Sequence, residues 1–474
     1  MALKILLADT DDQWLSSTKK FLTDHSYEVT TAVNGREAQL ALYNNKYFAI
    51  FLNYDIKNHS ALQVLKFIKT HNVEGRVFTL FNDRSLFSSG EVSEERLLKL
   101  GSTASLFKPV DLLQIKNMLE EYKSIKDLLI SFNKRESPSD VEEVSMSDAT
   151  LTKVPLDEFF SAKTVLFNVF VKIDEGRYLK ILHAGDPFTQ ERIAKYKEEK
   201  KIEFLYFHVS DRRKFIQYNN YLLKKLIKND HVATHSKLSV LKNICEKYVE
   251  EVFALGLKHH SIDLGKEISE SVFEFIDHES EIFKLLRSYK PNHISASTQT
   301  FLVTLFSGLV IKQFEWQSKA TIETTVFACL IHDIGKTLLP RELASMRSFE
   351  MSPDQYEQYK KHPELGLQVV ESFREINNSV KQIILQHHEA FDGTGFPFNK
   401  KGTKILTLAS IVYLADDFAH TMTDLKLTAL EAMKKTITAP EGGGMKYNPA
   451  TVEKLIAVFA DPEKLQKEIS KKTA

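Results

Sequence analysis

Cysteine is scarce. The 474 residues hold two, Cys245 and Cys329, far apart within helical, apolar-periodic stretches. That excludes a disulfide framework and a thiolate metal site. Neither sign of charge is in excess, with 63 basic and 63 acidic residues, so no bulk electrostatic hold on a nucleic-acid polymer or an anionic membrane is expected. A local basic pocket for a dinucleotide stays open. Long hydrophobic runs are missing as well. The most apolar window, Phe301 to Ile311, carries Thr304 and Ser307 and is too short to span a bilayer. The first eight residues pass straight into a short strand and then acids, without a signal-peptide cleavage pattern, so a soluble, cytoplasmic chain is expected.

What is present is a globular composition, 43% hydrophobic and 27% charged, on a length that suggests several domains. Over residues 1–125, five short apolar segments (Lys4–Ala8, Glu28–Ala32, Phe48–Leu52, Arg76–Phe81 and Thr103–Phe107) alternate with amphipathic helices. This is the pattern of a doubly wound α/β parallel sheet. Residues 126–155 read as a polar linker. Residues 156–215 read as a small α+β module whose hairpin turns at Glu175-Gly176. Isolated His183 and His208 are assigned nothing. Residues 216–290 read as a helical connector able to support a homodimer, with His259-His260 in a solvated turn. Residues 291–474 form an all-α domain.

The all-α domain carries the chemistry-bearing stretches. His332-Asp333-Ile334-Gly335-Lys336 follows the apolar run Val326–Ile331, which reads as a buried helix. The adjacent imidazole and carboxylate suit one or two divalent transition ions. Lys336, four residues after His332, is expected on the same helical face. His362-Pro363-Glu364-Leu365-Gly366 follows, then His387-His388-Glu389, then the loop Asp392, Gly393, Thr394, Gly395, Phe396, Pro397, and finally Asp416 after the apolar run Ile411–Ala415. The Gly-rich loop reads as the lip of a site.

This ordered set resembles the HD-GYP family, a branch of the HD-domain metal-dependent phosphohydrolases that hydrolyses cyclic di-GMP. The likeness covers roughly the last third of the chain. It implies a phosphodiesterase holding two divalent ions, iron, manganese or zinc, on His332, Asp333, His362, His387, His388 and Asp416. It assigns Lys336 to a phosphoryl oxygen and the Asp392–Pro397 loop to the pocket edge. Some positions depart from the family pattern. Gln299 or Thr300 stands where it sets a histidine, which implies one weakly held ion. Ala419 replaces a second acid, Leu425–Thr428 replaces an arginine-bearing stretch, and Phe396 replaces the tyrosine. These departures leave two alternatives: an inactive scaffold or cyclic di-GMP receptor, and a phosphohydrolase of another nucleotide. The first 125 residues resemble a response-regulator receiver domain, with Asp9, Asp11, Asp12 and Lys108-Pro109 in place. Asn53 occupies the phosphoacceptor position and Phe81 the switch hydroxyl, which implies a pseudo-receiver docking to signalling proteins or to a second copy.

Overall fold

The computed structural model describes residues 3–73, 75–88, 92–122, 141–156, 159, 164–187, 196–197, 201–291, 295–347, 350–438 and 446–459. The chain divides into two compact units, Met1–Asn133 and Lys134–Ala474.

In the first unit, strands β1 (Leu3–Ala8), β2 (Tyr27–Ala32), β3 (Ala49–Asn53), β4 (Arg76–Phe81) and β5 (Ala104–Phe107) form a parallel sheet in the order β2-β1-β3-β4-β5. Because side chains alternate along a strand, β1 feeds two cores. Ile5 and Leu7 pack with Leu15 and Leu22 of helix α1 (Asp12–Asp24), whereas Leu6 and Ala8 pack with Ala38 and Leu42 of helix α2 (Gly35–Asn44). Helices therefore cover both faces, as the doubly wound pattern requires. At the carboxyl edge, Lys108 Nζ lies 2.8 Å from Asp9 Oδ2, and Asn53 Nδ2 donates to that same oxygen at 2.9 Å. Phe81 is buried and stacks on Tyr54.

The second unit opens with an antiparallel sheet in the order β6-β9-β8-β10-β7, built from β6 (Glu142–Ser145), β7 (Leu151–Pro155), β8 (Val169–Asp174), β9 (Arg177–Leu182) and β10 (Phe204–His208). β6 and β7 fall within the stretch expected to be linker. Its charge density masked a period-2 pattern: Thr152 and Val154 are buried while Lys153 between them is exposed. As expected, β8 and β9 turn through Gly176, whose φ of +70° suits glycine. The sequence pattern also predicts a helix over 189–200, which lies largely outside the described residues.

The remainder is helical around Ala296–Ile311, a helix buried on all sides and capped by Ser295, whose Oγ accepts from Thr298 N. Against it pack Thr234–Leu255, Lys319–Ile331, Thr407–Asp424 and Pro449–Phe459. The stretch expected to be a connector is thus part of this bundle, with the apolar stripe of Thr234–Leu255 used internally. His259-His260 opens the helix His259–His278 rather than sitting in a turn; the exposed His259 pairs with Glu375.

The helices Arg212–Ile227, Thr234–Leu255 and His259–His278 meet at a buried ion pair. Lys237 Nζ lies 2.5 Å from Glu279 Oε1 and 3.4 Å from the Ile227 carbonyl, and Thr234 Oγ1 donates to Glu279 Oε2 at 2.6 Å. Lys237→Met strands a buried carboxylate, so we expect urea denaturation to show a loss of about 3–5 kcal/mol. The double variant with Glu279→Leu should recover most of that loss. A single-variant loss under about 1 kcal/mol would remove the pair from this role.

Candidate metal centre

The helix Lys319–Ile331 is apolar and buried through its last two turns, and it stops at Ile331. His332 and Asp333 lie in the turn that follows, and Ile334–Leu338 is a 3-10 segment. The expected position of Lys336, over His332 on one α-helical face, is therefore not found. Its Nζ reaches Asp333 Oδ2 at 2.6 Å. The tighter winding accompanies a close approach at Gly335, where an added Cβ would sit 1.9 Å from the His362 carbonyl oxygen and 2.4 Å from Gly366 N. Two of the sequence stretches are thereby locked backbone to backbone. Gly335→Ala should shift both, costing roughly 3 kcal/mol of thermal stability and at least about tenfold in metal affinity. Unchanged melting and metal titration would contradict this account of Gly335.

Three histidines are held in the same way. His332 Nδ1 lies 2.6 Å from the Cys329 carbonyl, His362 Nδ1 2.8 Å from that of Tyr359, and His387 Nδ1 2.7 Å from that of Ile384. A carbonyl only accepts, so each Nδ1 carries the proton and each Nε2 is left as a lone pair on a neutral ring. Burial lowers the pKa of His332, and lowers that of His362 to about 4, so both rings are neutral near pH 7. The Nε2 atoms of His362 and His387 face each other at 3.2 Å, and Asp333 Oδ1 lies 3.3 Å from the first and 3.7 Å from the second.

Lone pairs converging on a carboxylate oxygen repel one another unless a cation sits among them. Two buried atoms point to such a cation: Asp333 Oδ1 and His388 Nε2 have no hydrogen-bond partner among the described residues. Donor atoms of Asp333, His362, His387 and His388 lie within 4.8 Å of one another. The residues fit a divalent ion bound by nitrogen and oxygen. Burial pushes the Asp333 carboxyl up, but the ammonium beside it overrides this and holds the group well below the usual carboxylate range. Asp333 keeps the charge of Lys336 in place in return: burial works against the ammonium, yet its pKa is raised.

His332 and Asp416 lie on the other side of Asp333. His332 Nε2 is 3.6 Å from Asp333 Oδ2 and 4.0 Å from Asp416 Oδ1. The two oxygens of Asp333 thus face two groups of donors. Cys329, one turn before His332, is buried, and its thiol is pushed up to about 12 by desolvation, so it offers no thiolate.

The loop after His388 is clamped by Glu389, whose buried carboxylate accepts from Phe398 N and Lys400 N, both at 2.8 Å. Phe396 stacks on His388 with ring centroids 4.6 Å apart. Gly395 and Phe396 line a cavity of about 1280 Å³. Asp392, Gly393 and Pro397 do not line it. Asp392 Oδ1 accepts from Thr394 N at 2.9 Å and Gly393 has φ +88°, so both shape the loop. The cavity floor includes Asp333, Lys336, His388 and Asp416; its walls add Tyr356, Tyr359 and Tyr413.

Sequence reasoning missed three groups in this cavity: Arg341, Arg347 and His420. The arginines stand outside every quoted stretch, and no spacing signal marks them. His420 is four residues after Asp416 on the helix Thr407–Asp424, a spacing that could have identified it. Where the sequence loses guanidinium groups at Leu425–Thr428, the fold supplies Arg341 and Arg347 from a separate segment. Arg347 pairs with Asp424. Gln299 and Thr300, the two candidates for the expected histidine position, both line the same cavity, whereas the nearby His293 lies outside the described residues.

The HD-domain family model matches residues 282–439, a span that contains every residue of this centre. The chain is 27% identical over 265 residues to a cyclic di-GMP phosphodiesterase of Thermotoga maritima; the alignment covers 56% of this chain and 61% of that protein. A cyclic di-GMP phosphodiesterase of Vibrio cholerae is 30% identical over 146 residues, covering 29% of this chain and 30% of its own length. The chain therefore spans less than two thirds of either relative. Among solved structures, Bd1817, an HDG"Y"P protein from Bdellovibrio bacteriovorus, superposes with a TM-score of 0.51 at 20% identity, covering 65% of this chain and 99% of its own. That likeness is one of fold. No helix among the described residues is long and apolar enough to cross a membrane.

Proposed function

We propose that the chain is a metal-dependent phosphodiesterase that hydrolyses cyclic di-GMP. The observation that carries this reading is the half-buried Asp333 carboxylate, faced by imidazole lone pairs, at the floor of a cavity large enough for a dinucleotide. The names of the two curated relatives support the substrate. His362, His387, His388 and Asp333 Oδ1 would hold one divalent ion, with His332, Asp416 and Asp333 Oδ2 toward a second; iron, manganese and zinc all suit nitrogen and oxygen donors. When bound, such ions supply an activated water and offset charge on the phosphoryl oxygens.

The chain's own groups position the substrate. Lys336 presents a fixed ammonium to a non-bridging phosphoryl oxygen, and Arg341 and Arg347 present forks suited to the second phosphodiester. Phe396, Tyr356 and Tyr359 offer flat faces to guanine bases and keep water from the floor. Thr394, Gly395 and Phe396 form the cavity edge. Asp424 must release Arg347 for that fork to reach a phosphate.

Gln299 or Thr300, standing where the resemblance sets a histidine, favours a second reading in which the chain binds the dinucleotide without turning it over. A panel of cyclic and linear nucleotides incubated with the full chain and manganese decides between them. Linear product from cyclic di-GMP supports hydrolysis. Saturable binding of the intact ring with no product supports the receptor, and turnover confined to another nucleotide overturns both.

The receiver-like unit serves as an unphosphorylated docking module for a signalling protein or a second copy. The amide of Asn53 is not a nucleophile, and it donates to Asp9 Oδ2 and, at 3.2 Å, to Asn82 Oδ1. Incubation with a small-molecule phosphodonor and magnesium should leave the mass unchanged. Gain of one phosphoryl group at Asp55, the nearest acid beyond the strand, would contradict this.

A further inference from the structure

Asp416 Oδ1 is faced by two imidazoles rather than one. His332 Nε2 lies 4.0 Å away and His420 Nε2 3.8 Å away. Bonds of roughly 2.1 Å from a shared cation leave donor atoms about 3–4 Å apart, the spacing of each imidazole from Asp416 Oδ1. Asp416 and His420 are four residues apart on one helix, so both side chains leave the same face. His332 comes from the end of a different helix, and its Nδ1 proton is taken by the Cys329 carbonyl, which leaves Nε2 as the ligand atom. His420 is 39% exposed and opens on the cavity, whereas His332 is 2% exposed behind it. The two imidazoles thus approach one carboxylate from the inside and from the mouth.

Gln299 fixes the ring. Its Nε2 lies 2.9 Å from His420 Nδ1 and 3.2 Å from Thr423 Oγ1. In this orientation the amide donates to Nδ1. With the amide turned over, Oε1 accepts an Nδ1 proton and His420 Nε2 becomes a free lone pair. Other charges also face the group. Asp424 Oδ2 is 4.0 Å from His420 Nδ1, and the Lys336 ammonium shares Asp333 Oδ2. Asp424 favours a proton on Nδ1, consistent with ligation through Nε2.

We propose that His420 is a ligand of a second divalent cation, held with His332, Asp416 and Asp333 Oδ2. This deepens the metal-dependent reading and rests on it. It also gives the second ion a full set of protein donors within this chain.

The test is metal content of the full chain, reloaded with manganese and dialysed, measured by plasma mass spectrometry alongside electron paramagnetic resonance. Wild type should hold two ions with the signal of a coupled pair. His420→Ala should hold one and show the signal of an isolated ion, or need about 10–100-fold more manganese to recover the pair. His420→Gln, which preserves bulk and polarity, should behave as His420→Ala does, separating loss of a ligand from loss of fold. Two ions at unchanged affinity in both variants would overturn the assignment. One ion in wild type and in both variants would overturn it too, while leaving the His362–His387–His388 site intact. No ion in wild type would overturn the metal reading itself, and this proposal with it.

Discussion

If the proposed activity holds, replacing His387 by alanine should all but remove hydrolysis of cyclic di-GMP and empty the inner metal position, the largest effect expected of any single change in this chain. His387 is fully buried, and its Nε2 is 3.2 Å from His362 Nε2 and 3.7 Å from Asp333 Oδ1. No neighbouring side chain can take over that direction. Removing the ring leaves a cavity and one imidazole fewer around the carboxylate, so the rate should fall at least about 10³-fold if the ion activates the attacking water. The variant should still fold, because the bundle core around Ala296–Ile311 is untouched. Product chromatography with metal analysis on the same sample checks this. Turnover within about tenfold of wild type would mean that His387 is packing rather than ligand.

Lys336→Met should lower kcat about 10²–10³-fold while leaving metal content near wild type, since a fixed donor aimed at developing charge contributes about 2.7–4 kcal/mol. Methionine keeps the stem and removes the ammonium. The lysine is boxed in by Asp333 Oδ2 at 2.6 Å and by the Tyr359 ring, whose centroid is 5.1 Å from Nζ. The loss should fall on kcat more than on KM, because charge grows on the phosphoryl oxygens after binding. A KM effect alone would place Lys336 in ground-state binding. Loss of metal would show that it serves only to hold Asp333.

Much of this was readable before any coordinates, for stated physical reasons. The five parallel strands were legible because a strand buried on both faces is a short apolar run between helical patterns, as in Ile50–Leu52. The clustering of the histidines was legible because each stretch couples a metal-suited side chain to a local backbone need. Gly335 and Gly366 permit the approach of two segments, and Gly395 would drive a Cβ to 2.1 Å from Ala390 N. β6 and β7 were hidden because composition weighs Glu142, Glu143 and Lys153 as linker, while strand pairing weighs only alternation. The position of Lys336 was misread because the helix ends before it. Arg341 and Arg347 enter the cavity through tertiary packing, for which no local pattern exists. Gln299 was read as a gap in the centre, yet its amide meets an imidazole supplied from another helix.

The central claim is that the Asp333 cluster makes this chain a metal-dependent hydrolase of cyclic di-GMP. The most direct measurement is the rate of linear product formation by the full chain after chelation and again after reloading with manganese or iron. No product from the stripped protein and restored turnover on reloading is the result this account predicts. Equal rates in both states, or no product in either while the intact ring binds, would contradict it.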